Sequence, residues 1–182
     1  MPMPTTVTEL AIVVLFASAA SGQAPAEQSV DRVFHFTHTK TTQGVQEIAT
    51  VMRTIAGIRQ LSVDTVTTAL ALHGSAGQIA LAEWLFNELD RPASGPSLDQ
   101  QGQTESHQYQ VPGGSDVVRV FYLTHTEAAP ALQEIVTAIR ASAGLKRVVL
   151  CSAPKALALR GTVDQIAQAE RLINGRDKRE AQ

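Results

Sequence analysis

Residues 32–39 read RVFHFTHT and residues 119–126 read RVFYLTHT. The offset of about 87 residues continues without a gap on either side of that pair, which marks an internal repeat. VQEIATVMRTIAGI (45–58) falls on LQEIVTAIRASAGL (132–145), and ALALHGSAGQIALAEWLFNELD (69–90) falls on ALALRGTVDQIAQAERLINGRD (156–177). Roughly 26 of about 60 aligned positions are identical, far above what unrelated segments share. The chain therefore reads as two copies of one unit of roughly 60 residues. A unit that small buries modest area, so short helices packed closely on a small sheet are expected.

Each copy opens with alternation. Val33, His35 and Thr37 point one way and Arg32, Phe34 and Phe36 the other, a period of two that predicts a strand. Val45, Ile48, Ala49, Met52, Ile55 and Ala56 then recur at helical spacing, as do Leu132, Ile135, Val136, Ile139 and Ala143. Pro130 favours a first helical turn, so the helices should begin near 129 and, by register, near 42. Gly57 and Gly144 stand where a C-terminal glycine would end them. Hairpins follow at 60–66 with 69–72 and at 147–152 with 156–159. Ser75 with Gln78, and Thr162 with Gln165, fit capping boxes for a last helix. In the second copy Asn174-Gly175 should end that helix about a turn early. The predicted unit is β-α-β-β-α, an α+β fold with a three-stranded sheet, two helices on one face and the other face partly open.

The expected organisation is a signal peptide at 1–24, a first repeat at 31–91, a flexible linker at 92–116, a second repeat at 117–177 and a disordered tail at 178–182. Residues 10–20, LAIVVLFASAA, form a run too short to span a membrane, which needs about 20 residues, and small residues follow it. That is the pattern of a secretory signal, although the preceding segment has Glu9 and no Lys or Arg; a buried N-terminal helix or strand is the other reading. The linker is rich in Gly, Ser, Pro and Gln, a composition that offsets little chain entropy by burial.

Across 182 residues, 44% are hydrophobic but only 4% aromatic, so the core is aliphatic. A net charge of -2 leaves no basic footprint for nucleic acid. Gly57-Ile58-Arg59-Gln60 and Gly144-Leu145-Lys146-Arg147 also lack the second glycine of an RNA-binding GXXG loop. The single Cys151 excludes a disulfide framework and reads as a small buried apolar residue. His38 and His125 share a repeat position, each in Thr-His-Thr, but His35 falls on the opposite strand face from His38, a poor metal pair. His73 and His107 have no acidic or histidine neighbour at ligand spacing. No nucleophile elbow, P-loop or zinc-protease motif occurs, and Glu47 and Glu134 are lone helix carboxylates. The expectation is a non-enzyme with no cofactor and no metal. One polar pattern stands out: Gln46, Thr50 and Arg53 share a helix stripe with identical counterparts Gln133, Thr137 and Arg140, while core positions drift (Val45 to Leu132, Ala49 to Val136, Met52 to Ile139). This is either a shared partner-binding surface or a chance residue of duplication.

An LQEIV-type helix, then an apolar strand, a "GT/GS-x-x-QI" capping turn and a helix closing in "LD" resemble the N-terminal ring-building domains of bacterial secretins. The resemblance covers both repeats, about two-thirds of the chain. It implies two tandem KH-like βαββα domains, a periplasmic location and protein partners or self-association. The 182 residues contain no amphipathic strands for a secretin pore. The resulting expectation is an exported, non-catalytic protein–protein interaction or assembly module of the cell envelope, accessory to a secretin-type secretion or pilus system. It would associate transiently, bind no nucleic acid and keep no membrane span after cleavage. A monomeric periplasmic protein that binds a small ligand on its exposed sheet face, or assists an enzyme, is the alternative.

Overall fold

The structure, a computed structural model, describes residues 29–92, 104–126 and 128–177. The expected signal segment, residues 93–103 of the expected linker and the expected tail lie outside the described residues. The elements run β1 (Ser29–His35), α1 (Thr42–Val51), β2 (Gln60–Asp64), β3 (Ala69–Ser75), α2 (Ala76–Leu89), β4 (Ser106–Gln110), β5 (Asp116–Tyr122), α3 (Ala129–Ser142), β6 (Arg147–Cys151), β7 (Ala156–Thr162) and α4 (Val163–Arg176). They form a mixed α+β protein with two antiparallel sheets, ordered β1-β3-β2 and β4-β5-β7-β6, and four helices.

Local signals set most of the boundaries. Thr41 caps α1 by accepting from the Gly44 amide at 3.1 Å, and Pro130 sits in the first turn of α3. Gly57 and Gly144 adopt φ of 75° and 62° just after the first helix of each repeat, a left-handed conformation that glycine enters without a Cβ penalty. Both capping boxes are present. Their glutamines do more than cap: Gln78 Nε2 donates to the Gly57 carbonyl at 2.8 Å, tying the start of α2 to the end of the preceding helix. α1 itself continues through one π-helical turn, Met52–Ala56, whereas α3 stays α-helical to Ser142.

Three expectations are corrected. The second sheet has four strands, because part of the expected linker forms β4. Alternation in Ser106-His107-Gln108-Tyr109-Gln110 suits a strand along β5, and Tyr109 packs its ring on Trp84 with centroids 5.4 Å apart. The polar composition concealed one partly buried aromatic anchor. Second, α4 runs through Asn174-Gly175 to Arg176; a glycine costs a helix about 1 kcal/mol, and the tertiary contacts of Asp177 outweigh that. Third, the second sheet has no open face. Val117, Phe121, Leu157 and Leu159 pack against α3 and α4. The opposite face, carrying Val118, Val120, Tyr122, Cys151, Ala156 and Ala158, joins the core built by α1, the π turn and α2. The molecule is thus four layers deep: first sheet, α1 with α2, second sheet, α3 with α4. α2 is accordingly apolar on two sides, Ile79, Ala82, Phe86 and Leu89 supplementing Leu81 and Leu85 among its buried residues. Among the described residues no helix is long and apolar enough to cross a membrane.

Candidate functional site

The repeated Thr-His-Thr is a structural lock. In the first copy the Asp90 carboxylate accepts from the backbone amides of Thr37, His38 and Thr39 at 2.7, 3.1 and 2.7 Å. In the second, Asp177 accepts from Thr124, His125 and Thr126 at 2.8, 2.9 and 2.8 Å, and from the hydroxyls of Thr126 and Thr104. Each aspartate ends the last helix of its repeat and pins the loop after the first strand. Burial pushes both carboxyls upward, but the converging amides outweigh it and hold them below the ordinary carboxylate value. In the sequence the helix-ending aspartate, after Leu89 in one copy and Arg176 in the other, and the Thr-His-Thr stand apart; their shared 51-to-53-residue separation is the signal that joins them.

The predicted stripes are exposed in both copies. Thr50 Oγ1 donates to the Gln46 carbonyl and Thr137 Oγ1 to the Gln133 carbonyl, each at 2.8 Å. The stripes do not converge, because α1 and α3 lie on opposite sides of the second sheet. The arginines also differ: Arg53 lies exposed in the π turn, whereas Arg140 Nη2 donates to the Val148 carbonyl of β6 at 3.1 Å.

Polar contacts join the layers. Glu88, at the end of α2, accepts from the Tyr122 hydroxyl at 2.6 Å and pairs with His107 Nδ1 at 2.7 Å. Its side chain is 12% exposed. Burial first, then Glu88, raises the Tyr122 pKa far above the ordinary tyrosine value. Arg160 on β7 donates to the Ile55 carbonyl in the π turn at 2.9 Å, and Glu47 accepts from Ser152 at 2.6 and 2.8 Å. His107 thus has acidic neighbours, as does His73, 2.7 Å from Asp31; folding supplies what linear spacing did not show. His38 and His125 stand at separate locks, and among the described residues no group of three or more His, Cys, Asp or Glu could hold a metal.

The first sheet is left uncovered on one face. Asp31, Val33, Gln60 and Ser62 are exposed there and, with His73, line a shallow groove of about 350 Å³. The aligned positions of the second sheet hold Val118, Val120, Arg147, Val149 and Arg160, and that face is covered.

No protein-family profile and no curated protein matches the chain. Among solved structures it is similar to the N-terminal domain of the secretin XcpQ from Pseudomonas aeruginosa, at 17% identity and TM-score 0.34, over 83% of this chain and 63% of that one. It is also similar to Aeromonas hydrophila ExeD, at 14% identity and TM-score 0.29, over 82% of this chain and 28% of that one. A third is the pilotin–secretin AspS–GspD complex of ETEC, at 16% identity and TM-score 0.30, over 85% of this chain and 26% of that one. The chain resembles secretin N-terminal domains and spans under two-thirds of the length of each of these structures.

Proposed function

We propose that the chain is an exported, non-catalytic interaction or assembly module of a bacterial envelope, serving a secretin-type secretion or pilus system from the periplasm. In this reading residues 1–24 are removed, and 31–91 and 117–177 are two secretin-N-like copies. The observation that carries it is the unequal covering of the two sheets. The second sheet is buried on both faces, while the first presents a whole face and its strand edges to solvent. A protein built to bury one sheet and display the other is organised for contact. The exposed stripes Gln46, Thr50, Arg53 and Gln133, Thr137, Arg140 add a second contact surface in this reading, with Arg53 the freer of the two arginines. Such contacts are modest singly and gain strength when a partner is multivalent.

The test is in vivo photo-crosslinking from a photoreactive residue at position 53, in the full chain expressed in its host. The expected result is a processed chain whose N-terminus lies between about residues 20 and 27. It should form a discrete adduct with an envelope protein, lost when Gln46 and Thr50 of the same stripe are both replaced by glutamate. An intact Met1 on cytosolic chain with no adduct would overturn the reading.

A further inference from the structure

Among the described residues β5 has a second strand partner, β4, and β1 has none on its outer side, and the difference points to a site. Tyr122 donates its amide to the Glu105 carbonyl at 2.9 Å, while Leu123 donates across to Lys155 at 2.8 Å. Backbone amides alternate sides along a strand, so Val118, Val120 and Tyr122 face β4. In the first repeat Phe36 donates to Thr68 on the β3 side at 3.0 Å. By the same alternation the amides of Asp31, Val33 and His35 face outward, where no strand of the described residues pairs with β1. At the other edge of the second sheet, Arg140 donates to the Val148 carbonyl of β6.

Side chains on β1 match an absent strand. On β5, Arg119 is held by Glu170 and by the Ser106 hydroxyl of β4, which accepts from Nε at 3.1 Å and from Nη2 at 3.0 Å. The aligned Arg32 keeps the helix partner, Glu83 at 3.1 Å, but among the described residues has no counterpart to Ser106, and it stays half exposed. Val33, 54% exposed, is one of three large hydrophobics left in solvent among the described residues. An edge strand displaying an uncovered valine and no proline is open to pairing.

We propose that β1 accepts an antiparallel strand from a partner protein: an extended segment with a hydroxyl side chain beside Arg32. This deepens the assembly reading and rests on it. The strand adds four-stranded pairing to the first sheet as β4 does to the second, with backbone hydrogen bonds giving affinity and the Arg32–hydroxyl contact giving register.

The probe is a capped synthetic peptide of residues 104–111, TESHQYQV, titrated into the full chain under amide NMR. In the free chain the amides of Asp31, Val33 and His35 should exchange at least tenfold faster than those of Val118, Val120 and Tyr122. Peptide should shift and protect those three amides. Ser106→Ala in the peptide, or Arg32→Gln in the protein, should weaken binding about fivefold. Val33→Pro, which removes only an outward amide, should abolish it; Val33→Lys serves if the proline variant loses its fold by circular dichroism. Three results overturn the proposal: equal protection of the two amide sets in the free chain, peptide shifts confined to β2, β6 or the helices, or no binding at millimolar peptide. Protection that appears with rising protein concentration and a dimer mass would assign the edge to a second copy instead, and also overturns it. The crosslink from position 53 does not involve β1, so it survives failure of the strand site and fails only with the broader reading.

Discussion

Replacing Asp90 or Asp177 by alanine removes the carboxylate that three consecutive backbone amides share. Asp90 is 8% exposed and Asp177 5%, so water reaches the vacated amides poorly. A hydrogen bond to a charged acceptor contributes about 1.5–3 kcal/mol, and a buried donor left unsatisfied costs about 1–3 kcal/mol. The three bonds share one acceptor and are not additive, so each alanine variant should lose about 3–5 kcal/mol, comparable to breaking a buried charged pair. With a urea slope of about 2 kcal/mol/M, the midpoint should fall by about 1.5–2.5 M. Asparagine is the informative companion. In the first copy Oδ1 takes His38 and Thr39 while Oδ2 takes Thr37, so Asp90→Asn keeps two bonds and sets an amide NH2 against the Thr37 N–H. It should cost less than alanine by about half. The native carboxyls lie below their ordinary value of 3.8, so the unfolded chain binds these protons first. Their stabilisation is complete above that value and is lost as pH falls through the still lower native values. Acid unfolding of wild type should therefore be steeper below pH 3.8 than that of the double asparagine variant. A midpoint change under about 0.3 M for both alanine variants would refute the lock.

Three further outcomes follow from single residues. A Cβ on Gly161 would clash with Leu145 Cδ2 and meet Gln165 Oε1 at 2.8 Å, whereas one on Gly74 would meet Gln78 Oε1 at 3.0 Å; Gly161→Ala should cost about 1–3 kcal/mol in urea unfolding, and Gly74→Ala less. Burial, and then the Glu47 carboxylate, pushes the Cys151 thiol up to about 12, so a disulfide reagent at pH 8 should modify it only after unfolding. Tyr122→Phe keeps the ring and loses the bond to Glu88, which should lower stability by about 1–2 kcal/mol by calorimetry or urea unfolding.

The strands and helices were legible because each is announced by local signals. Strand alternation, Pro130, the two left-handed glycines and the capping boxes are local signals, and the structure uses each of them. The stacking was also present in the sequence, but in the differences between copies rather than in the identities. Ser62 aligns with Val149 and Asp64 with Cys151 on the sheets; Leu81 aligns with Gln168, Trp84 with Arg171 and Ile55 with Ser142 on the helices. Each change puts an apolar residue where the first repeat's helices meet the second sheet, and a polar one where a layer meets solvent. β4 was hidden because its flanks are Gly, Pro and Gln, and a strand anchored by one tyrosine leaves little periodicity. The aspartate locks were hidden because their partners are backbone amides, which carry no residue identity. The stripe residues are exposed, and tertiary contact alone decides that Arg140 turns onto β6 while Arg53 does not.

The account depends on the two repeats forming one layered body in which the second sheet is wholly covered. A protease site inserted within residues 93–103 allows that to be measured directly, by cutting the chain and weighing the product by size-exclusion chromatography with light scattering. Both fragments should elute together at the mass of the intact chain, held by the Tyr109–Trp84, Tyr122–Glu88 and Arg160–Ile55 contacts. They should separate only in denaturant. Two independent folded fragments eluting apart in native buffer would contradict the stacked arrangement.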